Sequence, residues 1–421
     1  MTGTTEGRPA PETGASTGAL AGPAGATAGQ PGAIAAGAEI AGAWARTPAG
    51  LVRARGRGVA LAGTPGPTNA ITDVAGVEVG YATLVRGEGP LVVGAGPVRT
   101  GVTAILPRGR AGAGTPVLAG AAMLNGNGEM TGSWWLEETG RCEVAITITN
   151  THAVGTARDA TIRWAVERGV FGTGQDWGLP VAAETYDGWL NDINGFHVVT
   201  ADVLAALDGA RGGPIEEGSV GGGTGMICYG FKGGSGTASR RIEAAGGSWI
   251  LGAFVQANFG RTSDLVVAGV PVGAELAGDR RGDGAVDTGG AGSVIVVVAT
   301  DAPLLPHQLK RLARRVPVGL ARTGTYGQHS SGDIFLAFST ANAAAAGPAA
   351  GPITLSMLPE ESLDPLFQAV AEAVEEAVLN ALFANAAMTG IDGRLVPALP
   401  VEAVVARLAA VGRLAAVSPR R

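Results

Sequence analysis

The sequence predicts a mixed α/β protein in which two β-sheets pack face to face and helices cover their outer surfaces. Short runs rich in Val and Ile, bounded by Gly, Pro or Asp, indicate strands, and longer periodic segments indicate helices. The run SVIVVVAT at 293–300 is apolar almost throughout, so both of its faces must be buried. A sheet with two buried faces needs a further layer on each side, and a sandwich of two sheets with outer helices supplies them.

Strands and helices follow one another along the chain. The segments with strand character are 101–107, 143–150, 225–231, 249–258, 264–270, 293–300 and 332–340. Helical periodicity is found at 156–170, at 306–316 and from 364 to about 385. In the last of these, Asp364 is the predicted N-cap and Pro365 fits the first helical position.

The composition excludes several classes of protein. With a net charge of -6 the chain has no basic footprint, so a nucleic-acid partner is not expected. No run reaches the roughly 20 apolar residues that span a bilayer, and residues 1–45, rich in Ala, Gly, Pro and Thr, resemble a flexible tail rather than a signal peptide. The sequence therefore predicts a soluble, cytoplasmic protein without a membrane partner.

The residues that most often bind metals are few and scattered. The four histidines show no paired ligand spacing, so no metal is expected. Cys142 and Cys228 both lie inside strand-like apolar runs, where a small buried thiol is the ordinary arrangement.

Gly292 and Ser293 join a polar, Gly-rich segment at 271–292 to the apolar run 293–300. If the backbone is cut between them, Ser293 supplies a hydroxyl nucleophile and a free α-amine, whose pKa of about 7.7 to 8.0 suits a general base near neutral pH. Before the cut that nitrogen is a non-basic amide, so the intact chain would be an inactive precursor. Gly292 has no Cβ to crowd the attacked carbonyl. The dipeptide alone also fits an ordinary turn before a strand.

Longer motifs support the cut. They are TNAITDVAGVEVGYATL (68–84), GVTAILPRG (101–109), AAETYDGWLNDING (182–195), GGGTGMICYGFKGGSGTASR (221–240), SVIVVVATDAPLLPHQLKRLARR (293–315) and SGDIFLAFSTAN (331–342). With these motifs the sequence resembles the L-aminopeptidase/D-esterase family and its β-peptidyl aminopeptidase relatives, which are self-processing hydrolases with an N-terminal serine nucleophile. The resemblance spans roughly residues 60 to 390.

The resemblance implies a four-layer αββα sandwich and a single catalytic domain over 46–421. It implies a cut into an α chain, 1–292, and a β chain, 293–421, and assembly into a homo-oligomer of such αβ pairs. The implied substrates are small peptides, amino acid amides and esters, including D- or β-amino acid derivatives, and no cofactor is implied.

The resemblance also implies roles for particular residues. Ser293 matches the nucleophile, and Ser331 and Asp333 in HSSGD match the polar pair that orients the nucleophile and its amine. The β-peptidases of the family have glutamate at the position of Asp333, so the carboxylate here has a shorter reach. By local sequence, Ser331 and Asp333 also fit a hairpin turn.

Three further residues match the substrate site of the family. Asn258, at the end of WILGAFVQAN, matches an asparagine whose side-chain amide binds the oxyanion, and Tyr186 matches a tyrosine beside the same oxygen. Glu184 matches the carboxylate that holds the free amino group of the substrate. Each residue also has an ordinary interpretation: a cap on the following loop for Asn258, a turn for Tyr186 and a surface position for Glu184.

Two other readings remain open at this stage. One is an acyltransferase of the ornithine acetyltransferase type, although its nucleophile is threonine, and the other is a non-catalytic protein that kept the fold. GSVGGGTGM (218–226) lacks the lysine and spacing of a phosphate-binding loop and is expected to allow a close backbone approach. Trp134 and Trp135 are expected at a pocket rim or a subunit interface.

Overall fold

The structure, a computed structural model, describes residues 2–3, 42, 44–171, 174–279, 292–343 and 351–415. The predicted tail 1–45 therefore lies largely outside the described residues. The Gly-rich segment 271–292 is described only up to 279 and at Gly292. Its first part was predicted to be irregular but forms a short helix, because Leu276 and Val272 are buried against the core.

The strands of the described chain are β1 Glu78–Arg86, β2 Val98–Leu106, β3 Val117–Gly126, β4 Arg141–Cys142, β5 Ile146–Asn150, β6 Val181–Thr185, β7 Ile227–Cys228, β8 Phe231–Lys232, β9 Gly234–Ala244, β10 Gly247–Asn258, β11 Val266–Val267, β12 Val270–Pro271, β13 Ser293–Thr300, β14 Gly332–Ser339, β15 Met388–Thr389 and β16 Leu395–Val396. The α-helices are α1 Ser133–Thr139, α2 Val154–Glu167, α3 Thr200–Asp208, α4 Gly273–Asp279, α5 Pro306–Ala313, α6 Val316–Ala321, α7 Asp364–Phe383 and α8 Val401–Ala410.

Two mixed sheets form the centre of the protein. A four-stranded sheet has the order β1-β2-β5-β6, and a six-stranded sheet has the order β4-β3-β14-β13-β10-β9. Within each sheet one pair is parallel, β5 with β6 and β13 with β14, and the remaining pairs are antiparallel.

Three apolar clusters show how the layers stack. One cluster lies between the sheets and includes Ile105 and Ile148 from the smaller sheet and Ile295 from the larger. A second joins the outer face of the smaller sheet to α2 and α3, and the third joins the outer face of the larger sheet to α5, α6, α7 and α8. The αββα sandwich that the sequence predicts is therefore confirmed.

Two segments that were predicted as single strands each form a tight hairpin of two short strands instead. Segment 225–231 forms β7 and β8, joined through Tyr229 and Gly230, whose φ angles of 53° and 73° reverse the chain. Segment 264–270 forms β11 and β12 in the same way, through Ala268 and Gly269 at φ 49° and 81°. An apolar run does not reveal such a reversal when non-glycine residues adopt the left-handed conformation.

The helix ends follow the sequence closely. Helix α7 begins one residue from the predicted cap, since Leu363 is the N-cap and Asp364 lies in the first turn beside Pro365. The segment 306–316 forms α5, after which α6 begins at Val316. Among the described helices, none is both long enough and apolar enough to cross a membrane.

Candidate active site

Ser293 is the first residue of β13, in the middle of the larger sheet. It pairs with Asn258 at the end of β10 on one side and with Gly332 at the start of β14 on the other. Its side chain is 4% exposed and points between the sheets, on the same face as Ile295. The hydroxyl oxygen accepts a hydrogen bond of 3.4 Å from the backbone N–H of Tyr186, which follows β6 of the other sheet. The strand ends of both sheets thus meet at this serine.

The peptide bond before Ser293 is tightly enclosed. The Gly292 carbonyl accepts a hydrogen bond of 3.1 Å from the backbone N–H of Gly332. A Cβ on Gly292 would lie 2.2 Å from the carbonyl oxygen of Asn258 and 2.8 Å from Cα of Phe259. Only glycine fits here without displacing backbone, and the carbonyl next to the hydroxyl is held in place by the sheet.

Asn258 joins three parts of the site. Its Oδ1 accepts from the backbone N–H of Ile227 at 2.8 Å, and its Nδ2 donates to the carbonyl of Tyr186 at 2.9 Å. These bonds fix the orientation of the side-chain amide, which is 7% exposed. A primary amide has two N–H groups, so one donor remains available on the side of the cavity that Asn258 lines.

A cavity of about 740 Å³ opens in front of Ser293. It is lined by Asn127, Gly128, Glu129, Thr151, Glu184, Tyr186, Trp189, Ile227, Asn258, Gly292, Ser293 and Ser330. Among the described residues, this lining includes two carboxylates and no lysine, arginine or histidine. The cavity therefore favours a positively charged group over an anion.

Glu184 provides the more buried of these carboxylates, with 3% of its surface exposed. Its Oε1 accepts from the backbone N–H of Glu129 at 2.9 Å, and the Thr151 hydroxyl donates to its Oε2. Strands β5 and β6 are parallel, with Thr149 opposite Glu184, so both strands end at the same edge of the sheet. This register places the Thr151 hydroxyl at the Glu184 carboxylate. The sequence analysis did not identify Thr151, although its position directly after a predicted strand was a signal for a site residue.

Ser331 and Asp333 are hydrogen-bonded to each other. The Ser331 hydroxyl donates to Asp333 Oδ1 at 2.6 Å, and Asn125 Nδ2 donates to Oδ2 at 3.1 Å. However, Asp333 lies opposite Val294 in the ladder, so its side chain is on the face of the sheet away from the Ser293 hydroxyl. Burial raises the pKa of the Asp333 carboxyl, against the lowering effect of these two hydrogen bonds.

Tyr186 lies at the cavity, but its backbone makes the contacts with Ser293 and Asn258. Its side chain is 54% exposed, and the phenol oxygen lies 2.4 Å from the position that a Cβ on Gly188 would occupy. The resemblance implies a tyrosine beside the oxyanion. In this conformation it is the backbone N–H of Tyr186 that faces the nucleophile.

Asp187, the next residue, is a buried acid that the sequence analysis did not identify. Its Oδ1 accepts from Asn191 Nδ2 at 3.0 Å, and its carbonyl accepts from the backbone N–H of Leu190 and Asn191. Its Oδ2 is buried without a hydrogen-bond partner among the described residues. Burial raises the pKa of the Asp187 carboxyl to about 7, although hydrogen bonds from neighbouring side chains oppose the shift.

This pKa predicts a stability that depends on pH. The folded-state pKa of Asp187 lies above the unfolded value of about 3.9, so its favourable contribution is complete below that value and is lost as pH rises through about 7. Asp187→Asn keeps the shape of the neutral acid. We expect the variant to gain up to a few kcal/mol over the wild type at pH 8 and little at pH 4, as measured by denaturant unfolding. An equal difference at both pH values would contradict the assignment.

The remaining predicted features are found as follows. The loop 218–226 is largely buried, and a Cβ on Gly223 would lie 2.3 Å from the backbone nitrogen of Ser235, so the backbone of the loop does approach another strand closely. Trp134 is exposed and lines a second cavity of about 670 Å³, which shares Gly128 and Glu129 with the first. Cys142 and Cys228 are free buried thiols. Within the described ranges, no cluster of three His, Cys, Asp or Glu could hold a metal ion.

Comparison with known proteins identifies the fold and its chemistry. The chain matches peptidase family S58 over residues 69–396. It is 52% identical over 374 residues to beta-peptidyl aminopeptidase BapA of Sphingosinicella microcystinivorans, covering 86% of this chain and 93% of that protein. The chain belongs to peptidase family S58.

Solved structures with the S58 fold agree with this assignment. The L-aminopeptidase D-Ala-esterase/amidase of Ochrobactrum anthropi, described as a prototype for the serine aminopeptidases and a variant of the Ntn hydrolase fold, superposes with a TM-score of 0.79 and is 48% identical, covering 86% of this chain and 99% of its own. A Burkholderia sp. beta-aminopeptidase gives a TM-score of 0.77 at 47% identity, covering 87% and 100%.

Membership of family S58 decides among the functions that the sequence left open. The protein is a serine aminopeptidase of the N-terminal-nucleophile hydrolase type. Neither the acyltransferase nor the non-catalytic protein accounts for a match that covers most of the chain and of its relatives.

Proposed function

We propose that the chain cuts itself between Gly292 and Ser293 and then, as one catalytic domain over 46–421, removes N-terminal residues from small peptides, amides and esters. The observation that carries this proposal is the Ser293 hydroxyl beside the Gly292 carbonyl, at a cavity that also contains Asn258 and a buried carboxylate. β-Amino acid derivatives are included among the substrates, because the relative at 52% identity is named a beta-peptidyl aminopeptidase.

Self-cleavage uses the enclosed peptide bond. Ser293 Oγ bonds to the Gly292 carbonyl carbon, the bond from that carbon to the Ser293 nitrogen breaks, and the hydroxyl proton passes to the nitrogen. During the attack the Gly332 N–H remains hydrogen-bonded to the carbonyl oxygen, where negative charge develops. Water then hydrolyses the ester, which leaves a Gly292 carboxylate and a Ser293 residue with a free amine.

The two fragments stay in one sheet after the cut. Strand β13 belongs to the β chain, but it pairs with β10 of the α chain as well as with β14. We therefore expect an αβ pair held together by backbone hydrogen bonds, and a homo-oligomer of such pairs as the resemblance implies.

Turnover repeats the same chemistry on a substrate. The new amine of Ser293 takes the hydroxyl proton, Oγ attacks the carbonyl of the first residue, and the bond from that carbon to the leaving nitrogen breaks as the amine returns the proton to the nitrogen. Water then hydrolyses the acyl-enzyme ester and releases the first residue as a free acid. The second N–H of Asn258 Nδ2 and the Tyr186 backbone N–H stabilise the oxyanion. The Ser331–Asp333 pair lies on the adjoining strand and supports the amine from the side of the sheet away from the cavity.

The cavity explains why a free amino terminus is required. The substrate ammonium matches the buried Glu184 carboxylate, which two donors already hold in place, and none of the described residues that line the cavity is a cation that would compete for it. Intact mass measurement and N-terminal sequencing test the proposal together with hydrolysis of β-alanyl p-nitroanilide. A small fragment that begins SVIVVV and a hydrolysis product are expected, and an active chain that stays in one piece would exclude it.

Glu184→Gln separates substrate binding from self-cleavage. The amide keeps an acceptor for the Glu129 N–H but has no charge for the ammonium, so we expect kcat/KM for β-alanyl p-nitroanilide to fall roughly 10- to 150-fold. The cut at Gly292 uses no substrate ammonium and should proceed at the wild-type rate.

Glu129→Gln is the matched comparison, because it neutralises the exposed carboxylate of the same cavity. Water screens this charge, so we expect only a two- to threefold decrease. Equal losses in the two variants would show that the cavity acts through its overall charge rather than through Glu184.

A further inference from the structure

Lys232 lies fully buried at the end of the hairpin β7-β8, opposite Ile227 in the ladder. Its Nζ donates to the carbonyls of Met226 and Gly233, each at 2.8 Å. Met226 directly precedes Ile227, whose N–H binds Asn258 Oδ1. A hydrogen-bonded path therefore runs from the lysine to the Asn258 side chain through the peptide group that joins Met226 and Ile227.

The path continues to the nucleophile without a break. Asn258 Nδ2 donates to the carbonyl of Tyr186, and the N–H of Tyr186 donates to Ser293 Oγ. Each of these bonds fixes the group that makes the next one. A shift of the Met226 carbonyl would move the Ile227 N–H, release the Asn258 amide and loosen both donors that face the oxyanion.

We propose that Lys232 is a positioning residue, which holds the β7-β8 hairpin so that Asn258 and the Tyr186 backbone face the Ser293 hydroxyl. This inference rests on the proposed function of Ser293 and adds a residue that touches neither substrate nor nucleophile. It acts only through the Met226 carbonyl and the hydrogen bonds that follow.

The chemistry of the lysine suits this role. Its amino group is placed against backbone carbonyls and not against a carboxylate, and burial lowers the pKa of Lys232 to about 7. An amino group has N–H donors for both carbonyls, and the geometry uses two of them. Lysine in this place is a long donor that clamps two turns together.

Lys232→Met tests the clamp, because methionine has a similar length and no donor. We expect kcat for β-alanyl p-nitroanilide, and the rate of self-cleavage, to fall about 10- to 100-fold while KM changes less than threefold. Lys232→Gln carries two N–H donors and should recover part of the loss. A folded Lys232→Met protein with wild-type kcat and self-cleavage would overturn the proposal, and so would a glutamine variant that folds and is no better than a folded methionine variant.

Asn385→Ala is the matched structural control. Asn385 Nδ2 donates to the carbonyls of Lys232 and Gly233, so it anchors the same turn without itself donating to the Met226 carbonyl, which also accepts from the backbone N–H of Gly233 at 3.0 Å. We expect a lower melting temperature and kcat within twofold of the wild type. A loss of kcat equal to that of Lys232→Met would mean that general loosening of the turn is responsible.

A double-mutant cycle with Asn258→Ala decides whether Lys232 acts through this amide. If it does, adding Lys232→Met to Asn258→Ala lowers kcat by less than twofold further, and a multiplicative loss would overturn the proposed path. The result is distinguishable from failure of the proposed function, which would appear as self-cleavage and hydrolysis by Ser293→Ala.

Discussion

Ser293→Ala is expected to leave the chain as a single polypeptide without peptidase activity. The substitution removes the hydroxyl that lies next to the Gly292 carbonyl, and without the cut no α-amine is formed. Both halves of the catalytic unit are lost together, so hydrolysis of β-alanyl p-nitroanilide should fall by roughly 10⁶-fold, as for nucleophile removal in other serine hydrolases. Intact mass and denaturing electrophoresis follow the cut, and initial rates follow the activity.

Two further variants make this result specific. Ser263→Ala changes an exposed serine whose hydroxyl donates to Asp264, and it should cut and hydrolyse normally. Ser293→Cys keeps a nucleophile and should cut slowly. Among the described residues the Ser293 hydroxyl makes one long hydrogen bond, so Ser293→Ala should unfold at the wild-type temperature. Normal processing of Ser293→Ala would rule out self-attack by this hydroxyl.

The sandwich was predictable because its central strands are apolar on both faces. β13 was delimited correctly at Ser293, and β10 and β14 nearly so, since apolar side chains occupy most of their positions. β9 was missed, because its sequence GSGTASRRIEA has the small and charged residues of a loop. Helix α7 packs so closely on it that a Cβ on Gly236 would lie 1.9 Å from the Ala377 carbonyl. Small residues are needed there for packing, and this cannot be read without knowing which helix covers the strand.

Prediction of the active site from the sequence is limited in a similar way. Ser293 was identified from its position and from the family resemblance, Asn258 and Glu184 from the resemblance alone, and the structure brings all three to one cavity. The side of the sheet on which Asp333 lies depends on its register with Val294, which sequence does not provide. Tyr186 contributes through its backbone, and Lys232 was hidden inside an apolar motif. Residue type does not reveal the contacts that backbone groups make.

Asn258→Ala is expected to lower kcat by about 10²- to 10³-fold, corresponding to about 2.7 to 4 kcal/mol for one oxyanion donor. The substitution removes the free N–H at the cavity and also releases the Tyr186 carbonyl, so both proposed donors are weakened at once. The oxyanion forms only during reaction, so KM should change little. Steady-state kinetics of the cut enzyme with β-alanyl p-nitroanilide measure kcat and KM separately.

Asn258→Asp refines the same prediction, because it keeps the acceptor for the Ile227 N–H and replaces only the donor. The new oxygen would face the Tyr186 carbonyl and the developing oxyanion, so we expect a loss at least as large as for alanine. Asn342→Ala is the control, since Asn342 also bridges two backbone groups, both of Ser356. It should cost stability and leave kcat unchanged. An aspartate variant with wild-type kcat would show that the backbone N–H of Tyr186 stabilises the oxyanion alone, and that the amide of Asn258 serves only to hold the strand ends together.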